Sequence, residues 1–121
     1  MLFRSNFTAN TAGVYDYIGN LRSVPQNSQT SAYSLVALDN GKYIDITSGG
    51  ITVPASVFSA GQNVTIYNDS TSSQTITQAS GVTMYLAGTA TTGNRTLAQR
   101  GVATVLCVAA NTFVISGAGL T

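Results

Sequence analysis

Residues 33–53 read Tyr33-Ser34-Leu35-Val36-Ala37-Leu38-Asp39-Asn40-Gly41-Lys42-Tyr43-Ile44-Asp45-Ile46-Thr47-Ser48-Gly49-Gly50-Ile51-Thr52-Val53. Tyr43 to Thr47 and Ile51 to Val53 alternate in the way of half-buried strands. Asp39-Asn40-Gly41 is a strong tight-turn signal, so 33–47 is expected to be a hairpin. Ser48-Gly49-Gly50 turns the chain into Ile51-Thr52-Val53, and Pro54 should end that strand or put it on an edge.

The same rhythm runs to the C-terminus. Asn63 to Asn68, Thr75 to Thr77 and Val82 to Ala87 read as strands, with 69–73 and 79–81 as turns. Residues 88–95, rich in Gly, Thr and Asn, read as a loop. Thr96-Leu97-Ala98 reads as a short strand, Arg100-Gly101 as a turn, and Val102 to Ala109 and Thr112 to Ser116 as strands joined tightly at Ala110-Asn111. About eight or nine short strands with turn chemistry between them predict an all-β fold, an antiparallel β-sandwich of jelly-roll or Greek-key type.

Residues 1–30 differ. Val14, Tyr17, Ile18 and Leu21 share the spacing of a helical face, but Gly13, Gly19 and Asn20 weaken a helix. A short helix and an extended arm both fit. Leu2, Phe3, Phe7, Tyr15, Tyr17, Ile18 and Leu21 make the segment too apolar for a solvated tail. Its own domain or a neighbouring subunit should cover it. Residues 23–31 read as a polar linker. The division expected is an arm and linker at 1–30 and a β-sandwich domain at 31–121.

Composition narrows the chemistry. The 121 residues include no His, no Glu and no Trp, one Cys, and only 7% charged residues, with a net charge of +1. General acid–base catalysis commonly draws on His or a tuned Glu, Asp or Lys, so an enzyme is not expected. Asp16, Asp39, Asp45 and Asp69 are the only side-chain carboxylates. Asp39 and Asp45 could approach each other across the hairpin, as a carboxylate pair requires. A turn Asp and a solvent-facing strand Asp is the plainer reading.

One Cys and no His argue against zinc. Asp39, Asn40, Asp45 and Asp69 are too sparse for the oxygen shell of calcium. Gly93-Asn94-Arg95 lacks the Walker pattern of a phosphate loop. No metal or cofactor is therefore expected.

Arg4, Arg22, Lys42, Arg95 and Arg100 are scattered, so no basic stripe marks a nucleic-acid partner. No run approaches the roughly 18 apolar residues of a membrane helix. No targeting signal is visible at the N-terminus, and the expectation is a complete, soluble chain. Cys107, in the apolar run Val105-Leu106-Cys107-Val108, reads as a core hydrophobe. Asn6, Asn63, Asn68 and Asn94 each open an Asn-x-Ser/Thr sequence, as chance allows in so Ser- and Thr-rich a chain. Tyr33, Tyr43, Tyr67 and Tyr85 lie in strand-like runs, where Tyr serves cores and interfaces. So few charges leave β edges to be hidden by closure, by oligomerisation or in a larger particle.

The ordered set of motifs carries a resemblance. Leu38-Asp39-Asn40-Gly41-Lys42-Tyr43-Ile44, Ile51-Thr52-Val53-Pro54, Val64-Thr65-Ile66-Tyr67-Asn68, Thr75-Ile76-Thr77 and Gly81-Val82-Thr83 are followed by Gly93-Asn94-Arg95-Thr96-Leu97 and Arg100-Gly101-Val102-Ala103-Thr104. From residue 33 to about 119 this resembles a small β-sandwich module of structural proteins of tailed bacteriophages, marine and cyanobacterial ones especially. The resemblance implies a virion component without catalytic or cofactor residues, made in the host cytoplasm. The expected role is a capsid decoration, or cement, protein that binds the major capsid protein and itself as a trimer. The arm would lie on the capsid or wrap a neighbour through Leu2, Phe3, Phe7, Tyr15, Tyr17, Ile18 and Leu21. The alternatives are a receptor-binding module of a tail fibre or spike, or a minor tail adaptor. On this reading, deleting residues 1–24 leaves the β-domain folded and abolishes binding to heads in a cosedimentation assay. Full binding by the truncated form contradicts the role of the arm.

Overall fold

The computed structural model describes the strands β1 (Thr8–Asn10) and β2 (Gly13–Tyr15) and residues 23–121. β1 and β2 pair antiparallel, with Thr8 opposite Tyr15 and Asn10 opposite Gly13. The backbone there is extended on both sides of the Thr11-Ala12 step. Leu2, Phe3, Phe7, Tyr17, Ile18 and Leu21 lie outside the described residues, as does the side chain of Tyr15.

The chain is all-β, as expected. A nine-stranded sheet comprises β3 (Gln26–Gln29), β4 (Tyr33–Ser34), β5 (Tyr43–Ile46), β6 (Ile51–Val53), β7 (Asn63–Asn68), β8 (Gln74–Gln78), β9 (Thr83–Leu86), β10 (Arg95–Ala109) and β11 (Thr112–Leu120). Its ladders are mixed. β3, β5 and β7 form one parallel ladder, and β4, β6 and β8 a second. The chain alternates between the two, so residues 26–78 wind as a short solenoid.

β10 closes the winding. Its Arg95–Leu97 end pairs antiparallel with β8, and its Val102–Leu106 stretch pairs antiparallel with β7. β11 folds back on β10 and pairs in parallel with β9. The β10–β11 connection is Ala110-Asn111, with Asn111 in the left-handed region at φ 53°, the conformation that Asn tolerates in tight turns.

The hairpin expected at 33–47 is not formed. Tyr33 lies beside Ile51, whereas Tyr43 lies between Gln26 and Thr65. The reason is local. The Asp39 carboxylate accepts the Val36 N–H at 2.9 Å and closes a 3-10 turn over Ala37–Asp39. The connection then runs on to the other ladder. Gln26–Gln29, read from composition as linker, is the outermost strand of the first ladder. Its four polar residues pair through backbone groups, which composition does not report.

Alternation builds the core. β5 and β7 turn Ile44, Ile46, Val64 and Ile66 inward, β6 and β8 turn Ile51, Val53 and Ile76 inward, and β10 and β11 add Leu97, Val105, Phe113 and Ile115. Registered pairing stacks Ile44 on Ile66, and Val64 on Val105 on Ile115. Each such side chain gains roughly 1.5–3 kcal/mol by burial. Phe58, from the connection between β6 and β7, meets Phe113 edge to face with centroids 6.2 Å apart.

Glycine is required where coils touch. Gly50 has φ +73°, and a Cβ there would lie 2.5 Å from the Thr75 carbonyl oxygen. Two outcomes follow from this packing. Ile66→Ala should lower stability by about 2–5 kcal/mol, and Gly50→Ala by about 1–3 kcal/mol, both read by urea denaturation. An effect of Ile66→Ala below about 1 kcal/mol would contradict its place in the stack.

Candidate interaction surface

Three polar arrangements and one apolar face stand out. The first arrangement sits at the β3–β4 end of the core. Asp39 is fully buried. Its Oδ2 accepts the Tyr33 hydroxyl at 2.8 Å and the Val36 N–H, and its Oδ1 accepts Asn27 Nδ2 at 2.9 Å. Asn27 Nδ2 also donates to the Tyr33 hydroxyl oxygen, and Gln29 Nε2 donates to Asn27 Oδ1. Burial, followed by the bond to Asp39, raises the Tyr33 pKa above its ordinary value of 10.0.

The second arrangement holds the bend of β10. Asn68 is fully buried. Its Nδ2 donates to the carbonyls of Ser72, Leu97 and Ala98 at 2.8–3.0 Å, and its Oδ1 accepts Ser70 Oγ. The Leu97 and Ala98 carbonyls lie where the β10 ladder is interrupted between Leu97 and Val102. Arg100 at that point has φ 58°, as in a bulge that redirects a strand.

The third arrangement is on the outer side. Arg100 pairs with Asp69 and donates to the Tyr67 hydroxyl, and Gln26 Nε2 donates to Asp45. Partial burial, and then the nearby Asp69 carboxylate, raise the Asp45 pKa. The carboxylates brought together are therefore Asp45 and Asp69. Asp39 and Asp45, the pair considered from sequence, face opposite sides of the sheet, because Asp39 closes the turn inward while Asp45 alternates outward between Ile44 and Ile46. Among the described residues no group of three His, Cys, Asp or Glu side chains could hold a metal ion. Cys107 is buried, as its apolar run implied.

The apolar face is the outer side of β10, β11 and β9. Leu106, Val114 and Tyr85 stand in one registered row. Val102, Leu106, Val108 and Tyr85 are 36–43% exposed, high for large apolar side chains. Thr104, Thr65 and Ser116 fill the row beside them. No charged residue projects from these rows; Asp45, Asp69 and Arg100 gather at the margin beside Tyr67 and Val102. Contiguous exposed apolar side chains of this kind are uncommon on a sheet face turned to water. The alternation of Val102, Leu106 and Val108 with buried Ala103, Val105 and Cys107 was the signal for it in the sequence, hidden because every residue of the run is apolar or small.

Comparison of the chain with protein-family models, with curated proteins and with solved structures finds no match.

The Tyr33–Asp39 bond sets a pH response. A hydroxyl whose pKa is raised by folding contributes stability that is present below pH 10.0 and lost as pH rises through the folded value. Tyr33→Phe should remove this component of alkaline unfolding, measured as Tm between pH 9 and about 11.5, a window spanning the ordinary tyrosine pKa. An unchanged alkaline profile would contradict the assignment. Asp39→Ala leaves three donors without their acceptor and should cost about 3 kcal/mol.

Proposed function

We propose that the chain is a non-catalytic structural protein of a tailed-phage virion, a capsid decoration protein that binds and stabilises the head. The observation that carries this reading is the uncharged, apolar outer face of β9–β11. It supplies area for burial against protein, and nothing on it repels a second copy of a chain whose net charge is +1. The virion assignment rests on the ordered motifs of residues 33–119.

In this reading the β-body self-associates through that face, as a trimer, and the apolar N-terminal residues meet the major capsid protein. Binding to an assembled lattice then stabilises the lattice by mass action. A second reading, a receptor-binding module of a tail fibre or spike, draws on Tyr85. It is exposed and bridges to Thr92 in the Gly- and Thr-rich loop, an arrangement suited to stacking on a sugar.

Immunogold labelling of intact virions separates the two. Dense gold over the head supports decoration; gold confined to the tail end overturns it and favours the fibre module. The packing face has its own test. Leu106→Asp should convert the oligomer to monomer in sedimentation velocity, whereas Thr75→Asp, exposed on β8, should not. A Leu106→Asp protein that remains oligomeric contradicts the use of this face.

A further inference from the structure

Asn40-Gly41 is the one Asn-Gly step in the chain. Glycine has no side chain to shield its amide nitrogen, so this is the step most open to attack of the backbone on an Asn side chain. Every other Asn is followed by a residue that carries a side chain. The least hindered of these, Asn27-Ser28, is tied into the Tyr33–Asp39 network through both ends of its amide. Asn40 is exposed, and a Cβ on Gly41 would meet nothing within 4 Å. Water therefore reaches the step.

The fold nevertheless holds the reacting atoms apart. Asn40 has φ −53° and ψ 124°, and Gly41 has φ 80°. They are the central residues of a type II turn, closed by Lys42 N–H donating to the Asp39 carbonyl at 2.9 Å. Such a turn calls for Gly at its third position, so the residue that makes the turn also makes the step reactive. At that ψ the Gly41 nitrogen is nearly eclipsed with the Asn40 Hα, whereas ring closure on Cγ needs it on the Cβ side. One residue of β7 also holds both groups. The Gly41 N–H donates to the Asn63 carbonyl at 2.8 Å, and the Asn63 N–H donates to Asn40 Oδ1 at 3.1 Å. The first bond retains the proton that the nitrogen must lose, and the second pins the Asn40 amide.

We propose that Asn40 is a latent deamidation site, gated by release of Asn40-Gly41 from Asn63. Once released, the Gly41 nitrogen gives up its proton and bonds to Asn40 Cγ, the Cγ–Nδ2 bond breaks, and ammonia leaves. Water opens the resulting succinimide at either carbonyl, leaving Asp or isoaspartate. Either product adds one negative charge beside Asp39 and takes the net charge from +1 to 0. Isoaspartate also puts Cβ into the main chain, which lengthens the connection from β4 to β5 and breaks the register of the turn with Asn63. Openings of this connection are thereby recorded in the covalent chain. The inference is independent of the virion reading.

The test follows the full-length protein at mildly alkaline pH, folded and in urea, with Asp and isoaspartate at position 40 measured by peptide mass spectrometry. In urea Asn40 should react first among the Asn residues. In the folded protein it should react at least about tenfold more slowly, in the ratio set by the opening equilibrium. Hydrogen exchange of the Gly41 amide in the folded protein measures that equilibrium independently. Agreement of the two within about threefold supports the gate. Another Asn leading in urea, conversion of folded Asn40 at the urea rate, or a retardation that departs further from the Gly41 protection overturns it.

Discussion

β10 is the strand on which the rest depends. The two parallel ladders share no strand with each other except through it, because β7 takes its Val102–Leu106 stretch and β8 its Arg95–Leu97 end. Pairing with both requires a change of direction, and Arg100-Gly101 supplies it. The bend begins at Leu97 and Ala98, where the pairing of β10 with β11 is interrupted. Asn68, the last residue of β7, reaches their carbonyls from within the core. A buried amide thus holds the point where two sheets become one, and an unpaired carbonyl there would cost a large fraction of the stability of so small a domain.

The same device recurs wherever coils meet. Gln74 Oε1 accepts the Gly50 N–H, and Gln78 Oε1 accepts the N–H groups of Met84 and Gly93. Asn111 Oδ1 accepts Ser56 N–H, and Asn40 Oδ1 accepts Asn63 N–H. Strands this short leave much backbone in connections, and side-chain amides complete its hydrogen bonding. The richness in Asn, Gln, Ser and Thr is thus a structural consequence of a fold made of brief strands. It also accounts for Asn68, whose Asn-Asp-Ser sequence is buried bracing.

Much of this was readable from the chain, for identifiable reasons. Strand positions followed from alternation in Tyr43–Ile46, Asn63–Asn68 and Thr112–Ser116, since one face of each is buried. The Ala110-Asn111 turn was legible because adjacent antiparallel strands need only two residues there. The partners of the strands were not legible. Period-two alternation is the same in parallel and antiparallel ladders, and Asp39-Asn40-Gly41 does turn, with Lys42 N–H donating to the Asp39 carbonyl at 2.9 Å and Gly41 at φ 80°, but it leads the chain from one ladder to the other and not into a hairpin. Gln26–Gln29 was missed because its ladder is made by backbone groups, which composition does not report. The exposed side of β10 was not legible because residues 102–108 are apolar on both sides apart from Thr104, so alternation does not mark which side is covered.

Parallel winding and an uncharged outer face belong together. The coils turn Ser34, Thr52, Thr65, Tyr67 and Thr75 outward together with the charged Asp45, and the Val102–Leu106 stretch of β10 with Val114 and Ser116 of β11 extends that surface without a charge. The account stands on the ladders being parallel and joined by β10. Interstrand NOEs in solution test that most directly. Backbone contacts of Ile44 with both Asn27 and Ile66, and of Ile66 with Ala103, are predicted. Contacts pairing 33–38 with 43–47 as an antiparallel hairpin would contradict it.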